Sequence, residues 1–472
     1  MKRILIWTLA GIAFLFIFIS GLFWAWTATT GAMADQEATL YLDTSQTAGF
    51  IKPLHGINNG PKSGYEADTW KLDTTHFYQD AGIPIVRTHD TEYPYGQDKF
   101  IDIHCIFPDF SRDPDDPSAY HFDETDQYIA AITASGAQVM FRLGESIDYS
   151  GQDTFIQPPV DFQKWAQVCE HIVRHYNDGW ADGFAYNIRY WEIWNEPENS
   201  AMWTGTAEEY CALYSITARI LKQTHPEILV GCGGMLTTEA MDFFLKTISA
   251  STEEVPLDFA SCHRYTNDPS SYLGYARSMR NLLDQYGFQN AQIALSEWNY
   301  LSDWDNLLQA WQVIQFGQGA SFIAAALVTM QNAPIDTATY YDGQYAFLGT
   351  WCGLFDLQGT PKAGYTAFRW FNELCLLGHQ VEVDAQGQTE GLYLLGASNQ
   401  GRSGLLLTFY QPSKGFFSSS VRRIRVEYPP EISKITITIA DQSNPQGIST
   451  VIDGNFAELE LQLYNLAYIE AE

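Results

Sequence analysis

Two glutamates in this chain occupy positions where acid–base chemistry could take place. Glu196 lies in the stretch IRYWEIWNEPEN and Glu297 lies in QIALSEWNY, each after an apolar run and beside aromatic residues. Because Pro197 removes a ladder donor, Asn195 and Glu196 are expected at the end of a strand. Apolar neighbours raise the pKa of one carboxyl and hydrogen bonds keep another ionised, so such a pair can supply one acid and one nucleophile.

The separation of the two glutamates fits a repeating pattern of strand and helix. They are 101 residues apart, which accommodates three βα units of roughly 30 to 35 residues each. Glu196 would then end the fourth strand and Glu297 the seventh, so both would face one pocket. Two facing carboxylates are the minimum needed to cleave a glycosidic bond, since one protonates the leaving oxygen and the other attacks the anomeric carbon.

Apolar runs of the kind that carry these glutamates recur along the chain. The candidate strands cover residues 49–57, 83–90, 137–145, 188–196, 227–234, 257–265, 291–299 and 321–330. Amphipathic segments with helical spacing lie between them, at 161–177, 206–225 and 275–287. This alternation predicts an α/β fold, a (β/α)8 TIM barrel over residues 49–375, with functional groups at the C-terminal strand ends. The polar connection 91–126 is expected to wall the pocket.

A second region of different pattern follows the barrel. Alternating strand-like runs separated by turn-forming clusters predict an accessory β-sandwich over residues 376–472. Residues 35–48 contain the strand-like stretch ATLYLDTSQ, which is expected to join this sandwich. The sandwich would therefore be built from both ends of the chain.

The N-terminus has the features of an export signal. Two cations precede an apolar run from about Ile4 to Trp26, and Ala32-Met33-Ala34 matches an A-x-A cleavage site. Residues 1–34 are therefore expected to form a cleaved signal peptide, with an uncleaved membrane anchor as the alternative because the apolar run is long enough to span a bilayer. Either outcome predicts a secreted or cell-surface protein.

Charge and composition exclude several partners. The formal net charge of −30 would repel nucleic acid and anionic membrane surfaces, whereas a neutral saccharide carries no such penalty. Aromatic residues make up 15% of the chain, which suits flat ligand faces as well as core packing. The seven cysteines form no CxxC pair, so neither a metal site nor an organic cofactor is expected.

The motifs resemble a known family. The sequence EIWNEPE, followed about a hundred residues later by ALSEWN, is similar to the clan A glycoside hydrolases, and most of all to glycoside hydrolase family 39, the β-xylosidase and α-L-iduronidase family. The resemblance implies that Glu196 is the acid/base, that Glu297 is the nucleophile and that Asn195 bonds the sugar 2-hydroxyl. The sequence HRY matches the family's His-x-Tyr, which implies that Tyr265 holds the nucleophile and that His263 contacts the glycone.

Other residues near predicted strand ends are candidates for the pocket wall. These substrate-binding candidates are His55, Arg87, His89, Asp90, Glu145 and Trp298. Glu192 lies inside the predicted fourth strand, where a buried charge needs a partner, and Arg87 is the expected one.

The sequence also departs from the xylosidase pattern. A Trp normally follows strand eight there, whereas VTMQNAP offers Met330 and Gln331. Trp298, Trp351 and Trp203 are the alternatives for a sugar platform. The predicted third strand ends in RLGES, which also differs from the xylosidase pattern.

The expected function is that of an exported, retaining glycoside hydrolase that acts on an oligo- or polysaccharide. A neutral plant-type glycan is the first choice of substrate, with β-xylosides or α-L-arabinofuranosides foremost. The alternatives are an endo-acting hydrolase of an arabinogalactan or microbial polysaccharide, and a non-catalytic carbohydrate-binding barrel. A uronate-cleaving enzyme would need pocket cations, for which Arg87, Arg142 and Arg264 are the candidates.

Overall fold

The computed structural model describes residues 37–61, 73–89, 100–147, 155–343, 352–356, 359–412 and 420–472. The predicted signal or anchor at 1–34 lies outside the described residues. The first described strand, β1 (Glu37–Phe50), belongs to a sheet beside the barrel.

Eight parallel strands close into a barrel and confirm the predicted fold class. They are β2 (Gly56–Asn58), β3 (Ile85–Arg87), β4 (Gln138–Leu143), β5 (Tyr190–Ile193), β6 (Leu229–Cys232), β7 (Phe259–Thr266), β8 (Gln292–Tyr300) and β9 (Thr337–Tyr340). Glu196 follows β5 and Glu297 lies in β8, the fourth and seventh barrel strands. The two glutamates therefore reach the same end of the barrel.

Helices surround the barrel strands. They are α1 (Thr75–Asp80), α2 (Ile103–Ile106), α3 (Asp123–Ala134), α4 (Phe162–Asn177), α5 (Ala207–Thr224), α6 (Thr238–Ser249), α7 (Ser271–Gln285), α8 (Leu307–Ile314), α9 (Gly317–Gln331) and α10 (Gly364–Leu377). Thr206 and Glu209 form a capping box that starts α5, because each side chain bonds the other residue's backbone N–H. Among the described helices no single one is long and apolar enough to cross a bilayer. Taken together, α8 and α9 are long and apolar enough to do so, but the pair is bent by 86° between the two helices.

The prediction of a strand at 321–330 was wrong, because these residues lie in α9. The eighth barrel strand is β9, which follows that helix. A short, uniformly apolar run does not distinguish a buried strand from a buried helix. Its three consecutive alanines, 324–326, have the highest helix propensity. Helix α9 is apolar on nearly all sides because it packs against α10, β8 and the second sheet.

The second sheet has nine strands in the order β15-β14-β17-β12-β11-β10-β1-β13-β16. Its C-terminal strands are β10 (His379–Gly387), β11 (Leu392–Asn399), β12 (Arg402–Phe409), β13 (Val421–Glu427), β14 (Lys434–Ala440), β15 (Ile448–Asp453), β16 (Phe456–Gln462) and β17 (Leu466–Ala471). Strand β1 pairs antiparallel with β10 and parallel with β13. Apolar side chains from both halves of the sheet share one core, so the sheet folds over itself as a sandwich.

The sheet is joined to the barrel through α9 and α10. Leu406 of β12 and Phe371 of α10 belong to the same apolar cluster as the barrel strands, and both are fully buried. The Ser321 hydroxyl of α9 lies 2.7 Å from the Thr408 hydroxyl of β12. The two regions therefore share one continuous apolar core.

Candidate active site

A buried arginine connects the polar groups at the floor of the site. Arg87, at the end of β3, donates from Nε to Glu192 Oε2 at 2.7 Å and from Nη1 to Glu297 Oε1 at 2.9 Å. It also donates to Asn58 Oδ1 at 2.9 Å and to Asn195 Oδ1 at 2.6 Å. Glu192 is thus paired with Arg87, as expected from the sequence. One cation balances two buried carboxylates, which would otherwise each carry a desolvation cost of several kcal/mol.

Glu297 is held by donors on both carboxylate oxygens. Oε1 accepts from Arg87 and lies 3.5 Å from His89 Nε2, while Oε2 accepts from the Tyr265 hydroxyl at 2.6 Å. Burial raises the pKa of Glu297, and His263, Arg87 and the Tyr265 hydrogen bond oppose that rise. A carboxylate bonded to a guanidinium and a phenol is favoured in its ionised form.

Glu196 has a different set of partners. Its Oε1 lies 2.7 Å from His263 Nδ1, and its Oε2 accepts from Asn199 Nδ2 at 2.9 Å. Burial raises the pKa of Glu196, opposed by the Asn199 hydrogen bond and by the more distant charge of Arg87. Burial also lowers the pKa of His263 to about 4, so this imidazole is neutral at neutral pH.

Strand register and two unusual backbone positions bring these side chains together. His263 of β7 lies beside Glu297 of β8 in the ladder, after a register shift at Cys262. A Cβ on Gly234 would fall 1.9 Å from His263 Nε2, so only glycine allows the imidazole to sit there. Glu196 has a φ of 41°, a left-handed conformation that a non-glycine residue adopts at a cost and that often marks functional sites.

The two glutamates are close enough to act on one bond. A carboxylate oxygen from each, together with a ring nitrogen of His263, lies within 4.8 Å of the others. Retaining glycosidases place their carboxyl groups about 5 Å apart, whereas inverting enzymes need about 6.5–9.5 Å to admit a water. The arrangement therefore suits direct attack by one carboxylate and proton donation by the other.

Two groups of side chains have a spacing that a metal ion could use. One is Glu196, His263 and Glu297, and the other is Asp102, His104 and Glu145. In each group an arginine already donates to a carboxylate, Arg87 to Glu297 and Arg142 to Asp102.

A cavity of about 570 Å³ opens above the two glutamates. Of the residues suggested by the sequence, Asn195, His263, Arg264, Tyr265 and His89 line it with the glutamates, whereas Arg87 is fully buried and is not part of the cavity wall. The sequence analysis missed other wall residues, which are Ile147, Asn199, Met202, Leu236, Trp304 and Tyr341. Asn199 could have been found as a polar residue three positions after Glu196, and Trp304 as an aromatic residue in the loop after β8.

The sequence comparisons agree with this geometry. A family model for glycosyl hydrolases family 39 matches residues 46–404. The chain belongs to this family. It is 26% identical over 297 residues to a β-xylosidase from Caldicellulosiruptor saccharolyticus, and the match covers 58% of this chain and 57% of that protein. The chain thus matches a little over half the length of this curated relative.

Solved structures share the fold of this family 39 protein. A glucosidase from Croceicoccus marinus superposes with a TM-score of 0.76 at 22% identity, covering 93% of this chain and 99% of that one. A monomeric β-xylosidase from Caulobacter crescentus gives a TM-score of 0.70 at 15% identity, covering 92% and 99%. At these identities the likeness supports the fold alone.

Two suggested wall residues of the family 39 protein lie away from the cavity, which corrects those assignments. Trp298 is fully buried, with its ring 5.1 Å from that of Tyr340, because side chains alternate along β8 and Glu297 points inward. His55 is buried with its Nε2 3.0 Å from the Gly82 carbonyl and its ring 5.5 Å from Phe371 of α10.

Glu145 likewise lies outside the cavity wall, where it forms an ion pair with His104 at 2.5 Å. Burial raises the pKa of Glu145 to about 7. His104 belongs to the polar connection 91–126, whose described part, 100–126, contacts this strand end but contributes no residue to the cavity wall. Asp90 and the residues up to 99 lie outside the described part of the chain.

The expected aromatic platforms also need correction. Trp203 is buried edge-on against Trp194 at 4.9 Å, and Trp351 lies outside the described residues. Because 321–330 is a helix, Met330 and Gln331 do not follow the eighth strand. Tyr341 is the residue that follows β9 and lines the cavity. Trp304 also lines it, with its ring 5.3 Å from that of Tyr265.

Replacing Arg87 with Met should destabilise the fold by about 3–5 kcal/mol, because Glu192 and Glu297 would stay buried without their cation. Urea unfolding measures the free-energy change. The matched control is Arg423→Met, which removes an exposed ion pair with Glu460 and should cost no more than about 1 kcal/mol. An equal decrease in the free energy of unfolding of the two variants would contradict the electrostatic role given to Arg87.

Proposed function

We propose that this protein is an exported, retaining glycoside hydrolase that cleaves O-glycosidic bonds by double displacement. The observation that carries the proposal is the pair of closely spaced carboxylates with unequal partners. Glu297 is bonded to a guanidinium and a phenol, whereas Glu196 is bonded to a neutral imidazole and an amide. The first environment suits an ionised nucleophile and the second a protonated acid.

In the proposed reaction, Glu297 attacks the anomeric carbon while Glu196 gives its proton to the leaving oxygen. The bond from carbon to the leaving oxygen breaks as the bond from carbon to the carboxylate forms. Glu196, now ionised, then takes a proton from a water, whose oxygen replaces Glu297 at the anomeric carbon. Both glutamates return to their starting states, and the configuration of the sugar is retained.

Asn195 is oriented to bind the sugar. Arg87 carries only donors, so the amide oxygen of Asn195 must face its guanidinium, which leaves the amide N–H₂ group for the cavity. This group would donate to the sugar 2-hydroxyl, an interaction that strengthens as the ring becomes oxocarbenium-like. Asn195 is therefore a substrate-positioning residue in this proposal.

The first-choice substrate is a neutral plant-type glycan that carries β-xylosyl or α-L-arabinofuranosyl groups. The curated relative described as a β-xylosidase supports the xylosyl choice. The net charge of −30 supports a neutral rather than a polyanionic substrate. Export, and attachment to the cell surface in the uncleaved alternative, rest on the pattern of the first 34 residues.

Replacing Glu297 with Gln should reduce turnover of every substrate by at least about 10⁴-fold, because the nucleophile is lost. Replacing Glu196 with Gln should leave the rate of the first step unchanged for aryl glycosides whose leaving group needs no proton. Burst kinetics on aryl xylosides and arabinofuranosides, with Glu208→Gln on the surface of α5 as control, separate the two roles. If both variants bind glycan and keep the wild-type rate, the site assignment fails; if no form turns over but all bind, the non-catalytic alternative is supported.

Replacing Tyr265 with Phe should move the acidic limb of the pH–rate profile to higher pH. The Tyr265 hydroxyl lowers the pKa of Glu297, so its removal raises that pKa and the ionised nucleophile is lost sooner as the pH falls. The alkaline limb, which reports Glu196, should stay in place. The pH dependence of kcat/KM measures both limbs, and Tyr286→Phe on the protein surface is the control. An unmoved acidic limb would contradict the proposed contact.

One observation favours a second candidate function, cleavage of uronic glycosides. Arg264 lines the cavity, and its guanidinium lies 5.4 Å over the Tyr275 ring. No acidic side chain among the described residues forms an ion pair with it, whereas Arg87 and Arg142 are bonded to carboxylates. A substrate carboxylate is a chemically suitable partner for such a cation.

The variant Arg264→Met distinguishes the two candidates. If the substrate is a uronic glycoside, kcat/KM should fall by about 10- to 100-fold, because a charge-assisted hydrogen bond is lost. If the substrate is neutral, the rate on xylosides should change little. Parallel assays on aryl glucuronides and aryl xylosides measure both, and activity on neutral glycosides alone removes the uronate alternative.

A further inference from the structure

Exposed apolar side chains border the cavity on the segment that follows β8. Trp304, Leu308 and Trp311, which together we call the α8 strip, are 60%, 65% and 40% exposed. Single exposed apolar residues are ordinary, but a group that adjoins a cavity commonly marks a binding surface.

One end of the strip lies in the cavity wall. Trp304 lines the cavity wall and also contacts Tyr265, the residue that bonds Glu297. Leu308 and Trp311 are three positions apart on α8, so their side chains project from one helix face. The opposite face is buried through Ala310, Val313 and Ile314. The strip therefore combines one side chain of the cavity wall with two on the exposed face of the helix that follows it.

Trp311 is connected by hydrogen bonds to the segment that follows β9. With its amide oxygen facing them, Gln315 accepts from Trp311 Nε1 at 3.2 Å and from Lys362 Nζ at 3.0 Å. The backbone N–H of Lys362 donates to the Leu354 carbonyl, and the N–H of Leu354 donates to the carbonyl of Asp342. Asp342 follows Tyr341, which lines the cavity. The indole edge is thus fixed by polar contacts, and part of the ring remains exposed.

The surroundings of the strip favour a neutral sugar chain as its occupant. Sugar rings present C–H faces that pack on aromatic rings, while their hydroxyls keep contact with water. Asp303 and Asp305 flank Trp304 and are exposed, so an anionic surface would be repelled there. The strip itself carries no charge.

We propose that the α8 strip is an extended substrate subsite that binds sugar residues beyond the bond being cleaved. The inference rests on the proposed glycoside hydrolase function and narrows its substrate to a glycan chain. Residues of the chain would leave the cavity past Trp304 and lie against Leu308 and Trp311. Short glycosides would occupy the cavity without reaching the outer part of the strip.

The test compares the double variant Leu308→Ala/Trp311→Ala with the wild type on aryl monosaccharide glycosides and on oligosaccharides of increasing length. For the longer chains kcat/KM should fall by about two- to tenfold, the loss expected when aromatic contacts are removed. The rate on the aryl glycosides should stay unchanged. Phe456→Ala, which removes an exposed ring from the second sheet, is the matched control. An equal effect on short and long substrates would overturn the proposal.

A binding measurement separates this inference from the proposed function. Glycan affinity is measured by calorimetry in the Glu297→Gln background, with and without the two strip substitutions. Weaker binding of long chains alone supports the subsite even if the wild type hydrolyses none of the offered bonds. Unchanged affinity for long chains overturns the subsite. It is also overturned if the two strip substitutions change only the oligomeric state, or only the binding to phosphatidylcholine vesicles, and leave glycan binding unaffected.

Discussion

The site depends on one buried cation. Arg87 bonds carboxylates from two different strands, Glu192 near the end of β5 and Glu297 in β8, and it also fixes the amide of Asn195. Each carboxylate would be costly to bury alone, and the arginine would be costly to bury without them. The barrel closure that brings β3, β5 and β8 around one axis is therefore coupled to the chemistry at its mouth.

The difference between the two cleft glutamates follows from what each neighbouring strand supplies. Glu297 has Arg87 on one oxygen and Tyr265 on the other, and both favour the ionised carboxylate. Glu196 accepts a hydrogen bond from Asn199 and contacts His263 Nδ1, whose imidazole is kept neutral by burial. Burial raises the pKa of both carboxyls, so the difference between the two residues lies in their hydrogen-bond partners.

Much of the fold and the centre of the site could be predicted from local pattern, and the errors have physical causes. Glu196 and Glu297 were predictable because each ends or follows an apolar run and side chains at strand ends converge in a barrel. Trp298 was misassigned because the alternation along β8 was not applied to it. Residues 321–330 were misassigned because the burial of α9 depends on a sheet distant in sequence. Because of the same error, Tyr341 was not predicted as a wall residue, since the true end of the eighth strand was not recognised.

The charges around the cavity floor suit the proposed reaction. Arg87 contributes one positive charge, its partners Glu192 and Glu297 contribute one negative charge each when ionised, and His263 is neutral. The group therefore carries a net negative charge, which stabilises the positive charge that develops on the sugar ring in the transition state. A second guanidinium in contact with Glu297 would cancel this effect. Arg142 is paired with Asp102, and the guanidinium of Arg264, although it lines the cavity, lies over the Tyr275 ring and forms no ion pair with Glu297 among the described contacts.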